Sequence, residues 1–198
     1  MSLSTAKSIL RKETLNIIKK LNNESIMEES ENVVSQILND PIYKASQIIS
    51  IYLSTHSEIQ TDVLVKDSLN SGKTVFIPHF EKGSDRMEML LLPSLDSFNK
   101  LTCNFYGIRQ YYQKENEVSF TNKGPIDLVI CPLVAASKDG YRLGHGKGYY
   151  DKFFSEHIKL FEKPPKAYGV ALKCQIKENE EIPIEKNDYK LDKVFFAL

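Results

Sequence analysis

Short apolar, often β-branched runs alternate with segments of helical periodicity along this chain, and that order limits its folds more than any other feature. Ile48 to Leu53, Thr74 to Pro78, Met87 to Leu92, Asp127 to Cys131, Ala167 to Leu172 and Val194 to Phe196 read as strands; Asp127 to Cys131 suits burial on both faces. Leu10, Ile17, Ile18 and Leu21, then Met27, Val34, Ile37 and Leu38, recur at helical spacing. The first forty residues therefore form two amphipathic helices or one broken helix, ended by Asn39, Asp40 and Pro41. Thr61 is expected to cap a helix that Gly72 stops, and a further helix carries Phe153, Phe154, His157, Ile158 and Phe161 as far as Pro164 and Pro165. This order predicts an α/β fold, a three-layer α/β/α arrangement with a largely parallel central sheet and ligands at the carboxyl ends of its strands.

A length of 198 residues supports one sizeable core, so one domain over residues 1–198 is expected. Lys plus Arg and Asp plus Glu are 26 each, which leaves no net field to hold a polyanion and argues against nucleic acid as a partner. Cys103, Cys131 and Cys174 are odd in number and far apart, unlike a disulfide framework or a zinc site, and point to a reducing, cytoplasmic setting. The apolar stretch from Leu128 to Ala136 is far shorter than the roughly 20 residues that span a bilayer, so no membrane partner is expected. An organelle-targeting role for the N-terminal helix stays open beside the simpler reading of a surface helix. The polar segment Thr102 to Gly124 has little periodicity and reads as a long loop, either functional or disordered.

The richest chemistry lies in Gly140-Tyr-Arg-Leu-Gly-His-Gly-Lys-Gly-Tyr-Tyr-Asp151, between a buried strand and a helix. Gly144, Gly146 and Gly148 alternate and bare the main chain, whose N–H groups can turn toward an anion. A helix opening at Gly148 or Tyr149 adds unpaired N–H groups and its dipole, Arg142 and Lys147 add charge, and Asp151 can hold a phosphate-bridging magnesium ion. Lys147 is followed by Gly148 where a Walker loop needs Ser or Thr, and the glycine spacing is not that of a dinucleotide fingerprint. These residues alone suggest an anion without naming it, with a flexible turn beside a solvated basic flank as the bland alternative.

The run from Arg142 to Asp151 resembles the signature Arg-Leu-Gly-x-Gly-x-Gly-Tyr-Tyr-Asp of 5-formyltetrahydrofolate cyclo-ligases. The likeness extends to Lys7-Ser-Ile-Leu-Arg-Lys-Glu13, Tyr52-Leu-Ser-Thr-His-Ser-Glu58, Phe76-Ile-Pro78 and the tail from Pro183 through Asp188 to Asp192. It implies an ATP- and magnesium-dependent enzyme that phosphorylates the formyl oxygen of 5-formyltetrahydrofolate, lets nitrogen 10 close the ring, and releases phosphate and 5,10-methenyltetrahydrofolate. By the same resemblance ATP is held by Lys7, Arg11, Arg142, Leu143, Gly144, His145, Gly146, Lys147, Gly148, Tyr149 and Tyr150, with Lys147 and Arg142 as the catalytic cations. Folate is expected against Leu53, Glu58, Tyr149 and the same His145 to Gly148 stretch, and magnesium at Asp151 and Asp188. The expected partners are thus two small molecules, taken up by a monomer.

Taken without the resemblance, Lys7 and Arg11 are a basic helix face, Leu53 is core, Glu58 a loop acid, Tyr150 core filling, and Asp188 part of a turn. The sequence departs from the family pattern at Ala136 and Ser137, where Phe and Asp are common, at the variable His145, and at Arg109, where proline usually follows Gly-Ile. These departures keep open a non-catalytic nucleotide or folate binder on the same fold, with another enzyme on a similar sheet as a third reading. His56, His79 and His157 have no metal-ligand spacing and are assigned no chemistry.

Overall fold

A computed structural model describes residues 2–112 and 118–198. In chain order the elements are α1 (Leu3–Ile18), α2 (Asn23–Asn39), α3 (Pro41–Ala45), β1 (Ile48–Ile51), α4 (Asp62–Asn70), β2 (Thr74–Phe80), β3 (Met87–Leu92) and α5 (Leu95–Asn99). There follow β4 (Thr102–Cys103), β5 (Arg109–Gln110), β6 (Leu128–Cys131), β7 (Ala135–Ser137), β8 (Arg142–Leu143), α6 (Tyr149–Phe161), β9 (Lys166–Ala171), β10 (Ile176–Lys177) and β11 (Lys193–Phe196).

Six strands form the central sheet in the order β11-β9-β6-β1-β2-β3. Every neighbouring pair is parallel except β2 with β3. Side chains that alternate along a strand feed opposite faces, and β6 shows it plainly. Leu128 and Ile130 join Val33, Ile37, Leu64 and Val65 of α2 and α4, whereas Val129 and Cys131 join Phe153 and Phe154 of α6. The expected sheet between two helical layers is what the chain forms. Each fully buried Phe of α6 contributes about 1.5–3 kcal/mol of burial free energy, so that helix and the residues preceding it are fixed to the sheet.

The N-terminal region resolves into two helices, because Asn22 ends the turn after α1 and caps α2 through its side-chain oxygen, which accepts from Ser25 N at 2.8 Å. Asp40 and Pro41 close α2 as expected and also start α3, a short helix the sequence reading did not foresee. Thr61 precedes α4 as expected but does not cap it; its hydroxyl donates to Tyr52 O at 2.7 Å and closes the loop after β1. Within the segment read as a long loop, the chain makes the β4–β5 hairpin and a 3-10 turn at Phe120–Asn122, while residues 113–117 lie outside the described residues. A smaller sheet, β10-β7-β8, places the buried Ala136 and Ser137 in a strand that leads straight to the glycine run. Among the described residues no helix is long and apolar enough to cross a membrane, and all three cysteines are free.

Candidate functional site

Parallel strands end on one edge of a sheet, and here that edge opens into a cavity of about 820 Å³. Leu53 beyond β1, Pro78 in β2, Leu133 beyond β6 and Gln175 beyond β9 all line it, so its floor is made by the carboxyl ends of the strands. Gln175 is held rigid there: its Nε2 donates to Leu133 O at 2.6 Å and its Oε1 accepts from Leu172 N at 2.7 Å. Leu53 lines the cavity and is only 2% exposed, so it is part of the core and of the cavity lining at once.

One wall is the glycine run. Gly140 and Gly146 have φ of 96° and 95°, and Gly148 at 67° sits as the left-handed N-cap residue of α6. Left-handed backbone at these points is natural only to glycine and turns the chain so that α6 begins facing the cavity. The first N–H groups of a helix have no partners inside it, so this start offers free donors of the kind an anion accepts from. His145, Gly146 and Lys147 are exposed at the cavity, whereas Leu143 and Tyr150 are buried and hold the run on either side.

Two neighbours shape that wall. Arg11 of α1 donates from Nε to Gly144 O at 2.8 Å, and a side chain at Gly146 would meet the Arg11 guanidinium at 3.3 Å. Arg142 donates from Nη2 to Asp151 Oδ1 at 2.9 Å and lies over the Tyr150 ring at 5.4 Å, with its buried Nε lacking a hydrogen-bond partner. Asp151 Oδ1 also accepts from Tyr189 N at 3.1 Å. Lys7 of α1 reaches Asp188 Oδ2 at 2.6 Å and lies 3.6 Å from Glu185. The two predicted acids therefore line the same cavity, each paired with one of the predicted cations.

A further wall is the loop after β1. Glu58 Oε2 accepts from Thr55 N and from Thr55 Oγ1, both at 2.8 Å, which fixes where the carboxylate points. Tyr149 lines the cavity with its ring, packed 5.1 Å from Phe80, but its hydroxyl donates to Ser84 O at 3.2 Å. Tyr150 fills core as well as lining the site. Burial drives the phenols of Tyr52 and Tyr150 far above the ordinary range and the Cys131 thiol up to about 12, with the Arg142 charge opposing it only in part at Tyr150 and Cys131, so none of these groups titrates near neutrality.

All of the predicted site residues, from Lys7 to Asp188, meet at this one cavity. The sequence reading missed Gln175, Glu185 and the tip of the β4–β5 hairpin, of which Tyr106, Gly107 and Ile108 line the cavity. Topology gives the signal for Gln175, which follows a parallel strand; for the hairpin the only signal was a long segment without periodicity. Among the described residues no group of three or more His, Cys, Asp or Glu side chains could hold a metal ion, so a metal at Asp151 and Asp188 needs further ligands from elsewhere.

The sequence model of the 5-formyltetrahydrofolate cyclo-ligase family matches residues 3–197. A probable 5-formyltetrahydrofolate cyclo-ligase of Caenorhabditis elegans is 41% identical over 196 residues, covering 98% of this chain and 94% of that protein. The 5-formyltetrahydrofolate cyclo-ligase of Mus musculus is 31% identical over 196 residues, covering 99% and 96%. Among solved structures, the 5,10-methenyltetrahydrofolate synthetase of Aquifex aeolicus superposes with a TM-score of 0.73 at 26% identity, over 96% of this chain and 91% of that one. A fold shared with that synthetase, a family match over nearly every residue, and a cavity that gathers the residues of the matched motifs lead to one conclusion: the chain is an enzyme of the 5-formyltetrahydrofolate cyclo-ligase family.

Proposed function

We propose that this enzyme converts 5-formyltetrahydrofolate to 5,10-methenyltetrahydrofolate, with ATP cleaved to ADP and phosphate. The observation that carries the reading is that one cavity is lined both by a cationic glycine run and by Leu53 and Glu58, which we read as its nucleotide and folate ends. Two ligands can lie side by side in it. A formamide oxygen is a poor leaving group; transfer of the γ-phosphoryl to that oxygen, with ADP departing, lets nitrogen 10 attack the carbon and inorganic phosphate leave. Little covalent work falls to the protein, so positioning and charge are its contribution.

In this reading the main chain from Gly144 to Gly148 and the start of α6 hold phosphate oxygens, with Lys7, Arg11 and His145 beside them. Lys147, exposed at the cavity mouth, and Arg142, anchored by Asp151, supply charge where the transferred phosphoryl group becomes most anionic. Glu58 accepts from the pterin amino groups while Leu53 and the Tyr149 ring give it an apolar seat. Asp151 and Asp188 fit a magnesium ion: both are carboxylates on one cavity, and each has one oxygen, Oδ1 of Asp151 and Oδ2 of Asp188, already oriented by neighbours. Bound there, magnesium would neutralise phosphate charge and take its remaining ligands from phosphate and water. One chain forms both ends of the cavity, so a single-domain monomer working in the cytoplasm suffices.

The test is formation of the methenyl product, followed by its absorbance, with ATP, magnesium and 5-formyltetrahydrofolate omitted in turn. Each omission should abolish turnover. Lys147→Ala should lower kcat by about 100-fold or more, the scale of losing one charged transition-state contact, with the fold intact because the side chain is exposed. Binding of both ligands without any turnover would instead make the chain a binder, and full activity in Lys147→Ala would remove that residue from its role.

A further inference from the structure

The two walls at the folate end of the cavity belong to segments far apart in sequence. One is the loop from Tyr52 to Thr61, which carries Glu58 and runs directly into Asp62, the first residue of α4. The other is the tip of the β4–β5 hairpin, which ends at Ile108 and runs directly into Arg109, the first residue of β5. Arg109 and Asp62 face each other across this junction as a fork-to-fork pair: Nη1 donates to Oδ2 at 2.9 Å and Nη2 donates to Oδ1. The guanidinium also lies 5.2 Å from the centre of the Phe98 ring, so its plane is set from a second side.

The tip has order of its own but little packing. Asn104 Oδ1 accepts from Tyr106 N at 2.9 Å and Ile108 N at 3.1 Å, and Gly107 turns with φ of 75°. Phe105 is 93% and Tyr106 65% exposed. With both aromatic side chains exposed the turn is weakly anchored, and its position depends on what holds its base. Gln110 fastens that base to Phe80 through two bonds of 3.1 Å, on the β2 side. Arg109 fastens it the other way, to α4 and hence to the wall that carries Glu58.

We infer that Arg109 and Asp62 are positioning residues for the reduced-folate substrate: their ion pair sets the width of the folate end by tying the hairpin tip to the Glu58 loop. This rests on the folate reading of that end of the cavity. The ATP end is built on other residues, Arg11, Arg142 and the glycine run. Because the pair is part-exposed, with side chains 27% and 37% accessible, salt should weaken it.

The experiment measures steady-state constants for wild type, Arg109→Ala, Asp62→Ala, the double variant and Arg109→Lys, with thermal midpoints as a control. Either single variant should raise KM for 5-formyltetrahydrofolate about tenfold, with kcat and KM for ATP within about twofold. The double variant should be no worse than either single one, Arg109→Lys should recover part of the loss, and added salt should raise the wild-type KM while leaving the alanine variants nearly unchanged. A merely structural role would lower the midpoint and all kinetic constants together, and would overturn the proposal. So would an unchanged folate KM in the variants. Amide exchange gives a readout free of turnover: Asn104 and Gly107 should exchange faster in Asp62→Ala while the central sheet does not change, and equal rates would refute the tether. Absent turnover in the wild type would sink the proposed reaction but leave this exchange result to decide the tether.

Discussion

Gly140 shows how much of this site depends on single backbone positions. Its φ is 96°, and a Cβ built on it would lie 2.2 Å from Leu191 O, the backbone of the segment that leads to β11. Leu191 N in turn donates to Gly140 O at 2.9 Å, so neither strand can retreat without losing that bond. Gly140→Ala should therefore destabilise the fold by at least about 2 kcal/mol, read as a lowered denaturation midpoint. Under the proposed function it should also disturb nucleotide affinity, since Arg142 lies two residues on. Gly144→Ala is the contrasting case: a Cβ there meets only Arg142 Nη1, at 3.3 Å, so stability should suffer less. The sequence reading saw three alternating glycines as one device, yet only Gly146 and Gly148 among them need left-handed backbone. That distinction is a matter of φ, which spacing alone does not encode.

At the level of elements, Asp40 joins more of the fold than its place between two helices suggests. Its Oδ1 accepts from Ile42 N at 2.9 Å and caps α3, and also accepts from the Tyr168 hydroxyl of β9 at 2.7 Å; its Oδ2 accepts from Lys193 Nζ of β11 at 2.9 Å. Burial alone would raise its pKa, but the Tyr168, Lys193 and backbone hydrogen bonds together outweigh it and hold the pKa below the usual value. Asp40→Ala should cost about 2–4 kcal/mol, the loss of a cap plus a buried hydroxyl left without its acceptor, measured by chemical denaturation. The long helices and the six strands of the central sheet were legible in the sequence because their own patterning matches their burial. The two-residue strands β4, β5, β8 and β10 were not, since they exist only where a neighbouring segment happens to pair with them. Site residues inside the motif were legible for the same local reason, while Gln175, Glu185 and the hairpin tip reach the cavity through tertiary placement. Arg109, conspicuous in the sequence only as a departure, acquires a partner once α4 is beside it.

For the molecule as a whole, His157 makes folding depend on pH. Its Nε2 accepts from Ile126 N at 2.9 Å, so Nδ1, 3.1 Å from Lys163 O, carries the proton and the ring is neutral. Burial lowers its pKa from the ordinary 6.5, with the Lys163 carbonyl opposing only in part. The unfolded chain thus binds a proton near pH 6.5 that the folded chain refuses until lower pH, and stability falls as pH drops below that value. The contribution of His157 to that slope, at most about 1.4 kcal/mol per pH unit, should be missing in His157→Phe, as urea denaturation at several pH values would show. The glycine-walled part of the cavity is global in another sense. Lys7 finds Asp188 across 181 residues, and Arg11 finds Gly144 across 133. A chain emerging from the ribosome must extend past Asp188 before α1 can complete the phosphate cradle proposed above, so under that reading a shorter nascent polypeptide lacks the means to sequester a triphosphate.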